Sequence, residues 1–216
     1  MNTVTKFALG MMGRLRPEPA QGDSATSIAL PPPRRHGGLP LMEALGKRQS
    51  SREFAADPLP PQQLSDLLWA AYGTNRPDGG RTAPSALNAQ EIDVFVALPT
   101  GAYRYDAALH ALRLVAASDL RRVTGYQDFV DEAPLNLVYV ADHARMRLVP
   151  VTQRDSFASV AAGAIAQNVY LFAASNDLVA VIRAWIDRAA IADALGLTHD
   201  QQVLLSQTVG YPKMAP

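Results

Sequence analysis

Aliphatic residues recur at every second position through Ile92, Val94, Val96 and Leu98. A period of two puts those side chains on one face and predicts a half-buried strand. A helical period precedes it. Leu64, Leu67, Leu68 and Ala71 fall at i, i+3, i+4 and i+7, with Pro60-Pro61 opening the run and Gly73 closing it. Leu41, Met42, Ala44 and Leu45 predict a shorter helix from Pro40 to about Lys47. After the strand, Pro99-Thr100-Gly101 turns the chain, and residues 102–105 with 111–115 read as a hairpin around Asp106. Ser118 is placed to cap a short helix through Val123. Residues 135–141 read as a strand and 142–155 as a loop. Residues 156–175 contain no proline and are dense in small side chains, which predicts the longest helix, packed closely at the centre or at a subunit contact. Residues 178–182 form a strand, Asp187 caps a helix ending at Gly196, and 202–209 form the last strand.

Strands and helices interleave without the regular alternation of a doubly wound sheet, so the fold class is α+β, with a single domain over 40–216. Residues 1–39 show no sustained period and carry Pro31-Pro32-Pro33 and Gly37-Gly38. They read as an extended arm that either hangs free or lies across something, such as a second subunit. The glycines at 79 and 80 fit neither a dinucleotide fingerprint nor a phosphate loop.

Composition narrows the function. The chain has 216 residues, enough for a sizeable core, with 20 basic and 20 acidic side chains. Without a basic field, a nucleic-acid partner is excluded. Cysteine is absent, which removes thiol catalysis, zinc ribbons, iron–sulfur clusters and disulfides. His36, His110, His143 and His199 lack the spacing of a helical metal pair, so no metal site is expected. The apolar run 7–12 is too short for the ~7–15-residue core of a signal peptide with its flanks. No segment reads as a membrane span of ~18 apolar residues. A cytoplasmic protein without a membrane partner is expected, with export left open if the true start lies upstream.

Two clusters carry candidate chemistry. In Lys47-Arg48-Gln49-Ser50-Ser51-Arg52, two guanidinium forks flank hydroxyls, a donor set suited to phosphate; the alternative is a solvated turn. In Pro84-Ser85-Ala86-Leu87-Asn88-Ala89-Gln90, proline stiffens a loop bearing hydroxyl and amide groups, which can match a heterocycle edge that both donates and accepts. Ordinary turn chemistry is the alternative there.

These residues resemble the nitroreductase-like flavoproteins. Arg48-Gln49-Ser50-Ser51-Arg52-Glu53-Phe54 is similar to their R-x-S-x-R-x-F signature, and residues 84–90 to their P-S-x-x-N-x-Q loop. Val209-Gly210-Tyr211-Pro212 resembles the family's closing strand. Leu30-Pro31-Pro32-Pro33, Gly37-Gly38 and Gly101-Ala102-Tyr103-Arg104-Tyr105-Asp106 resemble the SagB-type, azoline-forming dehydrogenase subgroup. The likeness spans about 28–213.

The resemblance implies a mostly antiparallel sheet flanked by helices, in an intertwined homodimer with FMN at the subunit interface. By motif, Arg48, Gln49, Ser50 and Arg52 would hold the FMN phosphate, ribityl chain and ring edge, with Arg52 the candidate cation near N1 and O2. Pro84, Ser85, Ala86 and Asn88 would meet the ring from the other subunit. Gln127 occupies a ring-contacting region, and the backbone of Val181, Ile182 and Arg183 would lie near N5. Lys213 stands where relatives carry a basic tail, so phosphate binding leans on the arginines. Ser175-Asn176-Asp177-Leu178 replaces the usual Gly-Leu before the N5 strand. The implied activity is electron transfer from NAD(P)H to a nitroaromatic, quinone or similar acceptor by a ping-pong cycle, without a catalytic acid or base. The alternatives are an azoline-oxidase-like substrate dehydrogenase and a flavin-binding protein without turnover.

Overall fold

In the computed structural model, which describes residues 1–213, the chain begins with α1 (Thr3–Met11), β1 (Glu18–Pro19), β2 (Ser27–Ala29), α2 (Leu41–Lys47) and α3 (Pro61–Tyr72). The hairpin region follows as β3 (Ile92–Leu98), β4 (Gly101–Asp106), β5 (Ala111–Ala116) and β6 (Ser118–Asp119). Then come α4 (Phe129–Glu132), β7 (Leu135–Asp142), α5 (Val151–Ser175), β8 (Val179–Arg183), α6 (Arg188–Leu195) and β9 (Gln201–Gly210). The end of the domain expected over 40–216 lies outside the described residues.

Seven strands form one sheet in the order β2-β5-β4-β3-β7-β9-β8, with antiparallel neighbours throughout. The α+β class with a flanked antiparallel sheet therefore holds. The alternation in β3 does not mean one wet face, because helices cover both sides. Val94 and Val96, with Leu137 and Tyr139 of β7, meet Leu67 and Leu68 of α3 and Ile165 and Val169 of α5. Phe95 and Ala97, with Val138 and Val140, meet Leu120, Val123, Ile186, Ile191 and Leu195. Each large apolar side chain buried this way contributes about 1.5–3 kcal/mol.

Other expectations change. The stretch 1–39 is not an extended arm throughout, since Thr3–Met11 is a helix capped by the Asn2 side chain, which accepts from the Thr5 N–H at 2.9 Å. Leu15 is buried and β2 pairs with β5, so this segment is folded onto the sheet. Ser118 caps nothing; it pairs with Pro19 in a short ribbon, and a 3-10 turn follows at Arg121–Thr124. The longest helix starts at Val151, directly after Pro150, where proline suits a helix entrance. At 25 residues, with a mean hydropathy of 1.4 over its most apolar window, α5 is long and apolar enough to cross a bilayer, contrary to the expectation that nothing approaches a span. Its inward face, including Ala162, Ile165 and Val169, belongs to the protein core.

Candidate functional site

β8 is an edge strand, and the arginine segment covers its free side. The chain leaves α2 at Arg48 and runs beside β8, where Ser50 bridges Ala180 in parallel and the Ser51 N–H donates to the Ala180 carbonyl at 3.1 Å. Phe54 then buries its ring beside Val181 and Ala133 and bridges Pro212. The Lys213 N–H donates to the Glu53 carbonyl at 3.3 Å, which sets the chain's last described cation opposite Glu53, next in sequence to Arg52. Phe54, the apolar member of the motif, is thus the anchor of a cationic strip.

A cleft of about 690 Å³ opens here, lined by Arg48, Gln49, Tyr170, Asp177, Ala180 and Pro212. Lys47 is paired with Glu43 at 3.1 Å. Among the described residues, the side chains of Arg48, Gln49, Arg52 and Lys213 have neither an ion pair nor a hydrogen bond; Arg48 only rests over the Tyr170 ring at 5.5 Å. Two arginine forks and an ammonium left unneutralised on one strip favour an anion. The Tyr170 hydroxyl lies 2.8 Å from Ser50 Oγ and accepts from the Ile182 N–H at 2.9 Å. Tyr170 was missed in the sequence because its position on α5 reads only as core.

Of the loop that carries Pro84, Ser85, Ala86 and Asn88, it is Asn88 that lines a different cleft of about 410 Å³, with Tyr72, Arg81, Gln90, Tyr105 and Arg145. One protomer therefore does not bring Asn88 and Arg48 to the same cleft. The loop is held by its own polar groups. Ser85 Oγ accepts from the Gln90 N–H at 3.0 Å, and Gln90 spends its amide on Arg81, Asn88 and the Gly79 carbonyl. Gln90 is therefore a scaffold, while the Asn88 amide nitrogen stays available. Leu87, Asn88 and Gln90 have positive φ, and Leu87 is 71% exposed. Such backbone angles cost energy in non-glycine residues and mark a loop shaped for contact. Beside it, Glu91 is buried with both carboxylate oxygens unpartnered, and burial pushes its carboxyl upward. Burial likewise pushes the Tyr72 phenol to about 12.

Gln127 and Arg183 meet at a third place. Arg183 does not present its side chain to a cleft. It lies under the sheet, donating to the Thr124 carbonyl at 3.0 Å, Asn136 Oδ1 at 2.9 Å and Thr208 Oγ1 at 2.7 Å. With no carboxylate partner, burial lowers its guanidinium to about 9. A Cβ at Gly125 would overlap Arg183 and come 3.0 Å from Gln127 Oε1, a buried oxygen without a partner. Val181 is buried beside Phe54, so its side chain, like that of Arg183, is not offered to a ligand. The outward amide of Ile182 is taken by Tyr170.

This node is closed by α1. Lys6, fully buried, donates to the Gln127 carbonyl at 2.8 Å and the Gly125 carbonyl at 3.5 Å and pairs with Asp131. Phe7 packs edge-on to Tyr126 at 5.3 Å and lies 5.4 Å from Trp185. Tyr126 and Trp185 are thus partners of the N-terminal helix. Burial lowers the Lys6 amine, against the opposing pull of Asp131.

An antiparallel sheet wrapped by helices, with an unneutralised cationic strip on its edge, defines an α+β domain with a candidate anion site. The chain belongs to the Nitroreductase family, whose sequence pattern matches residues 45–211. A nitroreductase homologue from Ralstonia eutropha JMP134, solved by crystallography, is 52% identical over 93% of this chain and 96% of its own, with a TM-score of 0.89. A nitroreductase homologue of Methanocaldococcus jannaschii is 30% identical over 65% of this chain and 76% of its own length. The NADPH:FMN oxidoreductase of Vibrio harveyi, solved with NAD+, shares the fold at 22% identity and a TM-score of 0.60, over 82% of this chain and 70% of its own.

Proposed function

We propose that the chain is an FMN-dependent oxidoreductase that passes electrons from NAD(P)H to a small acceptor, such as a nitroaromatic or quinone, by a ping-pong cycle. The observation that carries this is the strip of Arg48, Arg52 and Lys213 by the β8 edge, three cationic side chains that form no ion pair among the described residues, of which Arg48 lines the cleft. Such a set fits a phosphomonoester. The activity of the Vibrio harveyi NADPH:FMN oxidoreductase supports the flavin and the nicotinamide donor. Arg48, Gln49, Ser50, Arg52 and Lys213 would take the phosphate and ribityl chain, and the backbone around Val181 the ring edge, while Gln127, enclosed with Arg183 beneath α1, stays structural. Flavin, when bound, supplies the electron transfer; the protein's part is to bind and orient it and to hold charge near it.

The placement of Asn88 on another cleft supports a homodimer in which a second copy donates the loop of Pro84, Ser85, Ala86 and Asn88. Met42 of α2 is 78% exposed and Val160 of α5 is 68% exposed, with Leu41 and Leu87 also open. A large apolar surface of this kind suits a subunit contact.

The test is flavin titration. FMN fluorescence should be quenched on binding, and Arg48→Ala should weaken binding by about 1.5–3 kcal/mol, the scale of a hydrogen bond to a charged group. An unchanged dissociation constant would end the phosphate assignment. Anaerobic bleaching by NADH or NADPH tests the electron donor. The second reading, a substrate dehydrogenase of the azoline-forming kind, draws on the subgroup motifs, which converge: the Leu30 N–H donates to the His110 carbonyl at 3.3 Å, Ser65 Oγ to the Pro31 carbonyl, and Tyr105 Oη lies 2.9 Å from His110 Nδ1. A yellow protein that neither nicotinamide bleaches would favour it.

A further inference from the structure

We infer that Tyr170 is a positioning residue that turns the Ser50 hydroxyl into an outward-facing donor for the cofactor's phosphate, an inference that rests on the flavin reading above. It follows from counting hydrogens. The Ile182 N–H can only donate, so Tyr170 Oη accepts in that 2.9 Å contact. The phenol has one proton of its own, and its other recorded polar neighbour is Ser50 Oγ at 2.8 Å. Tyr170 is 7% exposed, so a phenol proton with no acceptor would be costly there. The proton therefore goes to Ser50 Oγ. Ser50 is exposed, and an oxygen that already accepts from Tyr170 has its own proton left for the outer side, next to Arg48. In the reverse polarity, Ser50 would spend its proton inward and present only lone pairs to an anion.

The same ring supports Arg48, whose guanidinium lies over it at 5.5 Å. Tyr170 thus holds three segments of the strip at once: Arg48 through its face, and Ser50 and the Ile182 amide through its oxygen. Hydroxyl and face are separable by mutation. Tyr170→Phe keeps the cation–π surface and removes the donor to Ser50.

The experiment compares FMN with riboflavin, which lacks the phosphate, by fluorescence titration of the full chain. Wild type should prefer FMN. Ser50→Ala and Tyr170→Phe should each weaken FMN binding about 5- to 20-fold and riboflavin binding less than about twofold, and adding Tyr170→Phe to Ser50→Ala should change FMN affinity by less than about twofold. A Tyr170→Phe protein that loses both flavins equally, or neither, overturns the inference and makes Tyr170 a scaffold residue only. If Tyr170→Phe does not fold by thermal melting, Ser50→Ala decides, because an unchanged FMN-to-riboflavin ratio there also overturns it. A wild type that binds both flavins equally, or neither, refutes the phosphate reading itself and is thereby told apart from a failure of the Tyr170 polarity.

Discussion

Lys6→Met should be the most damaging single change in the N-terminal segment. Methionine keeps the aliphatic length and removes the ammonium, which pairs with Asp131 and donates to the carbonyls of Gln127 and Gly125 at 2.8 and 3.5 Å with none of its surface exposed. Breaking a buried pair from one side costs about 3–5 kcal/mol, because the partners stay behind unpaired. Asp131 softens the loss. It is 18% exposed and has the terminal amine at 3.5 Å and Arg122 at 3.9 Å as other partners. The lower end, about 3 kcal/mol, is therefore expected. For a chain of this size that lowers the midpoint by about 6–12 °C, from roughly 2–4 °C per kcal/mol. Circular dichroism melts of wild type, Lys6→Met and Lys6→Met/Asp131→Asn measure it, and the double variant should lose less than the sum of the singles. A Lys6→Met protein within about 0.5 kcal/mol of wild type, the range of ordinary surface changes, would show that α1 is not docked through this ammonium.

Glu91→Gln should change how stability varies with pH. Burial raises this carboxyl above its ordinary 4.5, so the native state keeps the proton after the unfolded chain has lost it. Stability from the neutral form is present at low pH and is lost as pH rises above about 4.5. Glu91→Gln should thus gain on wild type between pH 4 and 8 in urea melts, and a constant difference would refute the buried-acid assignment. Met42→Glu with Val160→Glu should shift the sedimentation of the protein towards a monomer and weaken FMN binding; an unaltered dimer would place the subunit contact elsewhere.

Much of the architecture was legible because strong periods coincide with local stop signals. Residues 60–73 carry an apolar stripe between proline and glycine, and Asp187 and Gly196 bracket α6 as a side-chain cap and a left-handed terminus. The helix α1 escaped because its key inward residue is a lysine, which no hydrophobic pattern places in a core. The double burial of β3 was hidden by reading only its period-two aliphatics, although Phe95 and Ala97 between them are apolar too and Asp93 alone is polar, finding Arg145 at 2.7 Å. At the site, Arg48, Ser50 and Arg52 were visible as donors, while Arg183, read only for its backbone, spends its side chain on Thr124, Asn136 and Thr208. Nothing local distinguishes the two arginines; burial does. The contribution of Tyr170 depends on a contact with Ser50 across 120 positions of sequence, beyond any local pattern.

The Arg48–Phe54 segment does a second job by lying along β8. A bare terminal strand is a template on which other chains can add, and here it is covered by the Ser50–Ala180 bridge and the Ser51 amide. Loosening that cover, for instance by replacing the Phe54 anchor, should reveal itself first as concentration-dependent clumping and poor yield in cells, with helical content still intact. Selection for a well-behaved, non-sticky polypeptide and selection for ligand capture therefore act on the same seven residues.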